Sequence, residues 1–66
     1  MQVFKVQGMS CGHCVRAITE AVQVLDAAAR VEVDLAAGEV RIDSALEAAQ
    51  LLAAIREEGF EASSAE

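Results

Sequence analysis

Apolar and polar residues alternate from Gln2 to Gln7, placing Phe4 and Val6 on one side and Lys5 and Gln7 on the other, which predicts a half-buried strand. Gly8 ends it. From Gly12 the period lengthens, and Val15, Ile18, Val22 and Leu25 recur at steps of 3, 4 and 3, the stripe of a helix packed inward. Arg16, Thr19, Glu20 and Gln23 then fall on the solvent side.

Alternation returns with Val31, Val33 and Leu35 between Glu32 and Asp34, predicting a second strand over residues 30–35. Ala36-Ala37-Gly38-Glu39 reads as a short turn, after which Val40 and Ile42 carry a third strand that completes a hairpin. Ser44 and Glu47 have the spacing of a capping box, and a second helix is expected from there, with Ala48, Leu51, Leu52 and Ile55 inward and Gly59 as its C-cap. Residues 60–62 suggest a short last strand and residues 63–66 a frayed tail. Strand, helix, strand, strand, helix, strand is the order of the split βαβ, ferredoxin-like sandwich. The expected class is therefore α+β, a four-stranded antiparallel sheet with two helices on one face.

At 66 residues, with no linker or low-complexity stretch, the expected organisation is one domain over residues 1–66. A chain of this size buries only about 60% of the surface it exposes unfolded. Its two phenylalanines are the only aromatic residues, so Val, Leu, Ile, Ala and Met must build the core. That leaves no room for a deep catalytic pocket, and no enzyme is expected. The net charge of −6, with five scattered basic residues, is contrary to nucleic-acid binding, which needs clustered Lys and Arg. It would also repel an anionic membrane and favour a basic or less acidic partner. No segment reads as a secretory signal or approaches the roughly 18 apolar residues of a membrane span. The expected location is the cytoplasm, and two cysteines are too few for the disulfide framework of a small secreted domain.

Met9-Ser10-Cys11-Gly12-His13-Cys14 lies between the first strand and the first helix, where the leading N–H groups of a helix have no intrahelical partner. Their partial positive charge favours a thiolate, and a lowered pKa is expected at Cys14. Two sulfurs three positions apart on a turn can reach one ion, and thiolates select soft ions such as Cu(I) over hard cations. A structural zinc site wants four ligands, whereas this chain has two Cys and one His, so two-coordinate Cu(I) fits the donor set better. On the residues alone the pair also suits a redox dithiol. Against that stands the absence of proline, since a thioredoxin-like site needs a longer chain and a proline-bearing loop.

Gly8-Met9-Ser10-Cys11-Gly12-His13-Cys14 resembles the GMxCxxC motif of the heavy-metal-associated domain family, and the likeness runs from Phe4 and Val6 to Gly59-Phe60. The resemblance is to the family's bacterial copper chaperones. It implies that Cys11 and Cys14 ligate Cu(I), that Met9 is a buried prop for the metal loop, and that Phe60 stands where those chaperones often have a Tyr. It further implies ligand exchange with a partner CxxC site, in the metal-binding domain of a copper-transporting P-type ATPase or in a copper-responsive regulator. The working form would be a monomer, with a metal-bridged homodimer as the alternative.

Other residues carry two readings each. His13 points to solvent or serves as a weak third ligand; Met9 is core or a thioether donor. Arg16 is a solvated surface cation or one that steadies thiolates. Glu57, Glu58 and Glu61 are ordinary surface or an acidic docking patch. Among other functions, a mercury carrier shares the sulfur pair, and resemblance makes it periplasmic, which the missing signal disfavours. Zinc or cadmium carriage would call for a carboxylate beside the first cysteine, where Ser10 stands. A thiol-disulfide oxidoreductase remains the rival outside metal trafficking. A start at Met1 with a full set of elements favours a stand-alone domain over a piece of a transporter.

Overall fold

The computed structural model describes residues 1–10 and 12–65. Its elements are β1 (Gln2–Gln7), α1 (Gly12–Leu25), β2 (Arg30–Asp34), β3 (Glu39–Asp43), α2 (Ala48–Glu57) and β4 (Glu61–Ser64). The strands form one antiparallel sheet in the order β2-β3-β1-β4, the ferredoxin-like arrangement expected from the sequence.

Phe4 lies opposite Val40, Val6 opposite Ala62, and Val31 opposite Ile42, so the pleat gathers these apolar side chains on one face. Both helices cover that face, with Ile18 and Val22 from α1 and Leu51 and Ile55 from α2 fully buried against it. Lys5, Glu39 and Arg41 occupy the other face. There Lys5 Nζ lies 3.0 Å from Glu39 Oε2 and Arg41 Nη2 lies 3.7 Å from Glu39 Oε1.

Several boundaries differ from expectation. Helix α2 begins three residues after the Ser44-Glu47 signature would start it. Its N-cap is Glu47, whose N–H donates to Gln50 Oε1 at 3.2 Å in a capping box shifted along the chain. Ser44 is used otherwise: its hydroxyl donates to Asp26 Oδ2 at 2.7 Å and accepts the Leu46 N–H at 3.1 Å, tying the β3–α2 connection to the α1–β2 connection.

Leu25 is on the expected helix face yet 53% exposed. A helix of this length runs about 21 Å, while the five-residue strands beneath span about 17 Å, so its last residue overhangs the sheet. Thr19 is half-buried rather than fully solvated, because its hydroxyl donates to the Val15 carbonyl at 2.8 Å. Strand β2 stops at Asp34, where Asp34 Oδ1 accepts the Ala37 N–H at 3.1 Å and starts the reversal; Leu35 therefore belongs to the turn. Ser63 and Ser64 are not frayed but extend β4, pairing with Lys5 and Phe4, and the Ala65 N–H donates to Val3 O at 2.9 Å. Phe60 precedes that strand. Of the expected tail, Glu66 lies outside the described residues. The C-cap of α2 is Glu58 rather than Gly59, which follows one residue on at φ +93° with its N–H on the Arg56 carbonyl at 3.0 Å.

Gly38 closes the β2–β3 turn at φ +66°, its carbonyl accepting the Val6 N–H at 2.8 Å, and a Cβ there would sit 3.3 Å from Val6 O. Left-handed backbone costs a residue with a side chain about 1–2 kcal/mol. Gly38→Ala is therefore expected to lower Tm by at least about 4 °C in a thermal melt; an unchanged Tm would show that the turn re-forms without positive φ.

The Asp26 carboxyl is held below its ordinary value, first by the Ser44 hydroxyl and then by the Ala28 N–H. A carboxylate more acidic folded than unfolded contributes stability above its unfolded value, about pH 4, and loses it as pH falls through the folded value. Asp26→Asn removes the charge and leaves one acceptor oxygen, so the Ala28 N–H and the Ser44 hydroxyl, which now use separate oxygens, cannot both keep their bond. Its Tm is expected to fall modestly below wild type near neutrality, with the gap closing as pH drops below about 4. A gap independent of pH would assign the effect to shape rather than charge.

Candidate metal centre

The pairing of β1 decides which loops meet. Lys5 opposes Glu39 and Gln7 opposes Glu61, so the β2–β3 turn and the α2–β4 connection lie at the end of the sheet where β1 leads into α1. The opposite end holds the Asp26–Ser44 tie.

Gly8 leaves the strand at φ +95°, a conformation that favours glycine. Phe60 Cδ1 lies 3.6 Å from where a Cβ on residue 8 would stand, so the ring edge flanks this glycine, which itself stays exposed. Phe60 is half-buried and packs on the core, in keeping with a place beside the loop. Met9, also half-buried, packs against the core, which matches the prop rather than an exposed thioether. Ser10 is exposed, and the expectation for Cys11 lies outside the described residues.

Helix α1 opens with Gly12 and His13, both exposed, and Cys14 is half-buried as its third residue. Ile18, one turn on, is the first fully buried side chain of the helix, so Cys14 sits between core and solvent. The first turn contains no acidic residue. No carboxylate of that turn competes with a thiolate for the open N–H groups. His13 and Arg16 are exposed, as are Glu57, Glu58 and Glu61.

An open groove of about 450 Å³ runs beside α1, lined by Val15, Glu32, Val33, Asp34, Leu35 and Arg41. Neither Cys14 nor His13 lines it.

Arg56 escaped the sequence reading. Its Nη2 donates to the Ala62 carbonyl at 2.7 Å, linking α2 to β4. As the basic residue in the last turn of α2, it occupied a position where the helix dipole favours a cation, and that signal was readable.

A family profile for the heavy-metal-associated domain matches residues 3–61. The copper chaperone CopZ of Staphylococcus aureus (strain bovine RF122 / ET3-1) is 35% identical over 63 residues, covering 91% of this chain and 93% of the relative. The solved copper chaperone Atx1 from Synechocystis PCC6803 is 43% identical and superposes with a TM-score of 0.89, over 92% of this chain and 97% of that one. A solved gold binding protein reaches a TM-score of 0.90 at 31% identity, over 97% and 98%. No helix among the described residues is long and apolar enough to cross a membrane. Sequence match, topology and similarity along the length of these relatives agree, and the chain belongs to the heavy-metal-associated domain family.

Proposed function

We propose that the chain is a cytoplasmic copper chaperone, acting as one unit over residues 1–66, that holds Cu(I) between the thiolates of Cys11 and Cys14. The observation that carries this is the position of Cys14 in the carboxylate-free first turn of α1, half-exposed and three residues after Cys11. Open N–H groups there stabilise negative sulfur, and soft sulfur prefers Cu(I) to hard ions. The copper-chaperone relatives, similar over nearly their whole length, support the choice of cargo. The gold binding protein fits the same preference for soft metals.

Binding releases the protons of both thiols. In transfer, a partner thiolate adds to the ion as a third ligand, and one Cu–S bond to this chain then breaks. Repetition moves the ion across without a free intermediate and without change of oxidation state. The partner is a CxxC site in the metal-binding domain of a copper-transporting P-type ATPase or in a copper-responsive regulator. The carrier works as a monomer, and two copies sharing copper through sulfur form the alternative state. His13, exposed on the helix, is not required as a ligand.

With no Trp or Tyr to mask sulfur-to-metal bands in the near ultraviolet, an anaerobic Cu(I) titration of the reduced protein reads the site directly. Saturation near one ion per chain is expected. Cys11→Ser and Cys14→Ser should each weaken retention against a cuprous chelator by more than the ~10–100-fold typical of losing an outer-shell partner, while His13→Ala stays near wild type. Full retention in both serine variants would reject the assignment, and catalytic insulin reduction without metal would favour the oxidoreductase reading.

A further inference from the structure

Arg56 holds the α2–β4 connection by both of its ends. Its carbonyl accepts the Gly59 N–H at 3.0 Å, and its guanidinium donates to the Ala62 carbonyl at 2.7 Å in a partly buried bond. Residues 57–61 are thereby closed into a loop across which helix and strand are tied. A cationic donor makes this the stronger kind of hydrogen bond, and a planar guanidinium fixes its direction. The loop also needs a tie, because Glu57, Glu58 and Glu61 crowd like charges into it on exposed positions.

Phe60 belongs to this loop, and its Cδ1 lies 3.6 Å from where a Cβ on residue 8 would stand. Ala62 pairs with Val6 and Glu61 with Gln7, so the bond from Arg56 lands on the strand residues that flank the end of β1. Arg56 is bonded to Ala62, two residues along the chain from Phe60, whose ring edge flanks Gly8, and Gly8 leads in sequence through Met9 and Ser10 to Cys11. We propose that Arg56 is a positioning residue for the metal loop: by keeping Phe60 beside Gly8 it restrains the backbone of residues 8–9 and slows the release of the ion. The clause about release rests on the proposed function, whereas the restraint of residues 8–9 does not.

The test compares Arg56→Gln with Ser44→Ala, which breaks the tie at the opposite end and so controls for a general loss of stability. In the metal-free reduced protein, amide hydrogen exchange followed by NMR should quicken at Gly8 and Met9 in Arg56→Gln and stay at wild-type rates in Ser44→Ala. Arg56→Lys, which retains one donor, should restore much of the protection. In the Cu(I)-loaded protein, transfer to a chelator should speed up roughly tenfold in Arg56→Gln, the low end for an outer-shell partner, and not in Ser44→Ala. Should Arg56→Gln fail to fold, Phe60→Leu fills the core without the ring and is expected to show the same two changes. Wild-type exchange at Gly8 and Met9 in the variants, or equal quickening in Ser44→Ala, overturns the proposal. Wild-type protein unable to hold Cu(I) sinks the functional reading instead, and the metal-free exchange still decides the restraint.

Discussion

The pairing of β1 on both of its edges is the constraint from which the remaining geometry follows. Lying between β3 and β4, this strand fixes the register of both neighbours, and its Phe4 and Val6 point into the core beneath the helices. The Val6 N–H bond to Gly38 O pins the β2–β3 turn beside the strand's end, and the Val6–Ala62 pair does the same for the start of β4. Antiparallel strands leave little freedom once one register is set, since a shift of one residue would turn Phe4 and Val6 to the charged face. The β2–β3 turn and the α2–β4 connection therefore meet at the end of β1 because β1 is central and one-sided.

Periodicity revealed this much of the molecule because a two-layer sandwich has one buried face per element. A period of 2 over residues 2–7 and steps of 3, 4 and 3 from Val15 to Leu25 are direct images of that one-sided burial. The errors fall where a local pattern had two solutions. Ser44 and Glu47 satisfied the capping-box spacing, but so did Glu47 and Gln50, and Ser44 was taken by Asp26, eighteen residues away. No local rule could weigh that contact. Leu25 had the right helical phase, and phase says nothing of where the sheet beneath ends. Ser63 and Ser64 lacked apolar character because β4 is an edge strand with a single buried residue, Ala62, and its order comes from backbone bonds to β1.

The candidate site was legible for a different reason. Cysteine spacing, the glycine ahead of it and the start of a helical period all lie within residues 8–18, so the local sequence contains the placement of Cys14 at the head of α1. What surrounds that segment was not local. That Phe60 comes beside Gly8 depends on β4 pairing with β1, and that Arg56 reaches Ala62 depends on where α2 ends relative to β4. Resemblance to the family pointed to the position of Phe60, but the tie through Arg56 involves a side chain outside the motif.

A small core and an exposed sulfur site place opposite demands on the same few residues. Under the proposed function the cysteine segment has to stay near the surface for a partner to reach it, and its described residues draw little burial: Ser10, Gly12 and His13 are exposed, and Cys14 is covered only in part. Its order must then be imported from neighbours that pack on the core. Met9 takes up that role from the loop side by packing on the core, Ile18 from the helix side, and Phe60 from across the sheet. The three hold the flanks of the segment, and under the proposed function held flanks keep the two sulfur donors in reach of one ion while a partner's sulfur adds as the third.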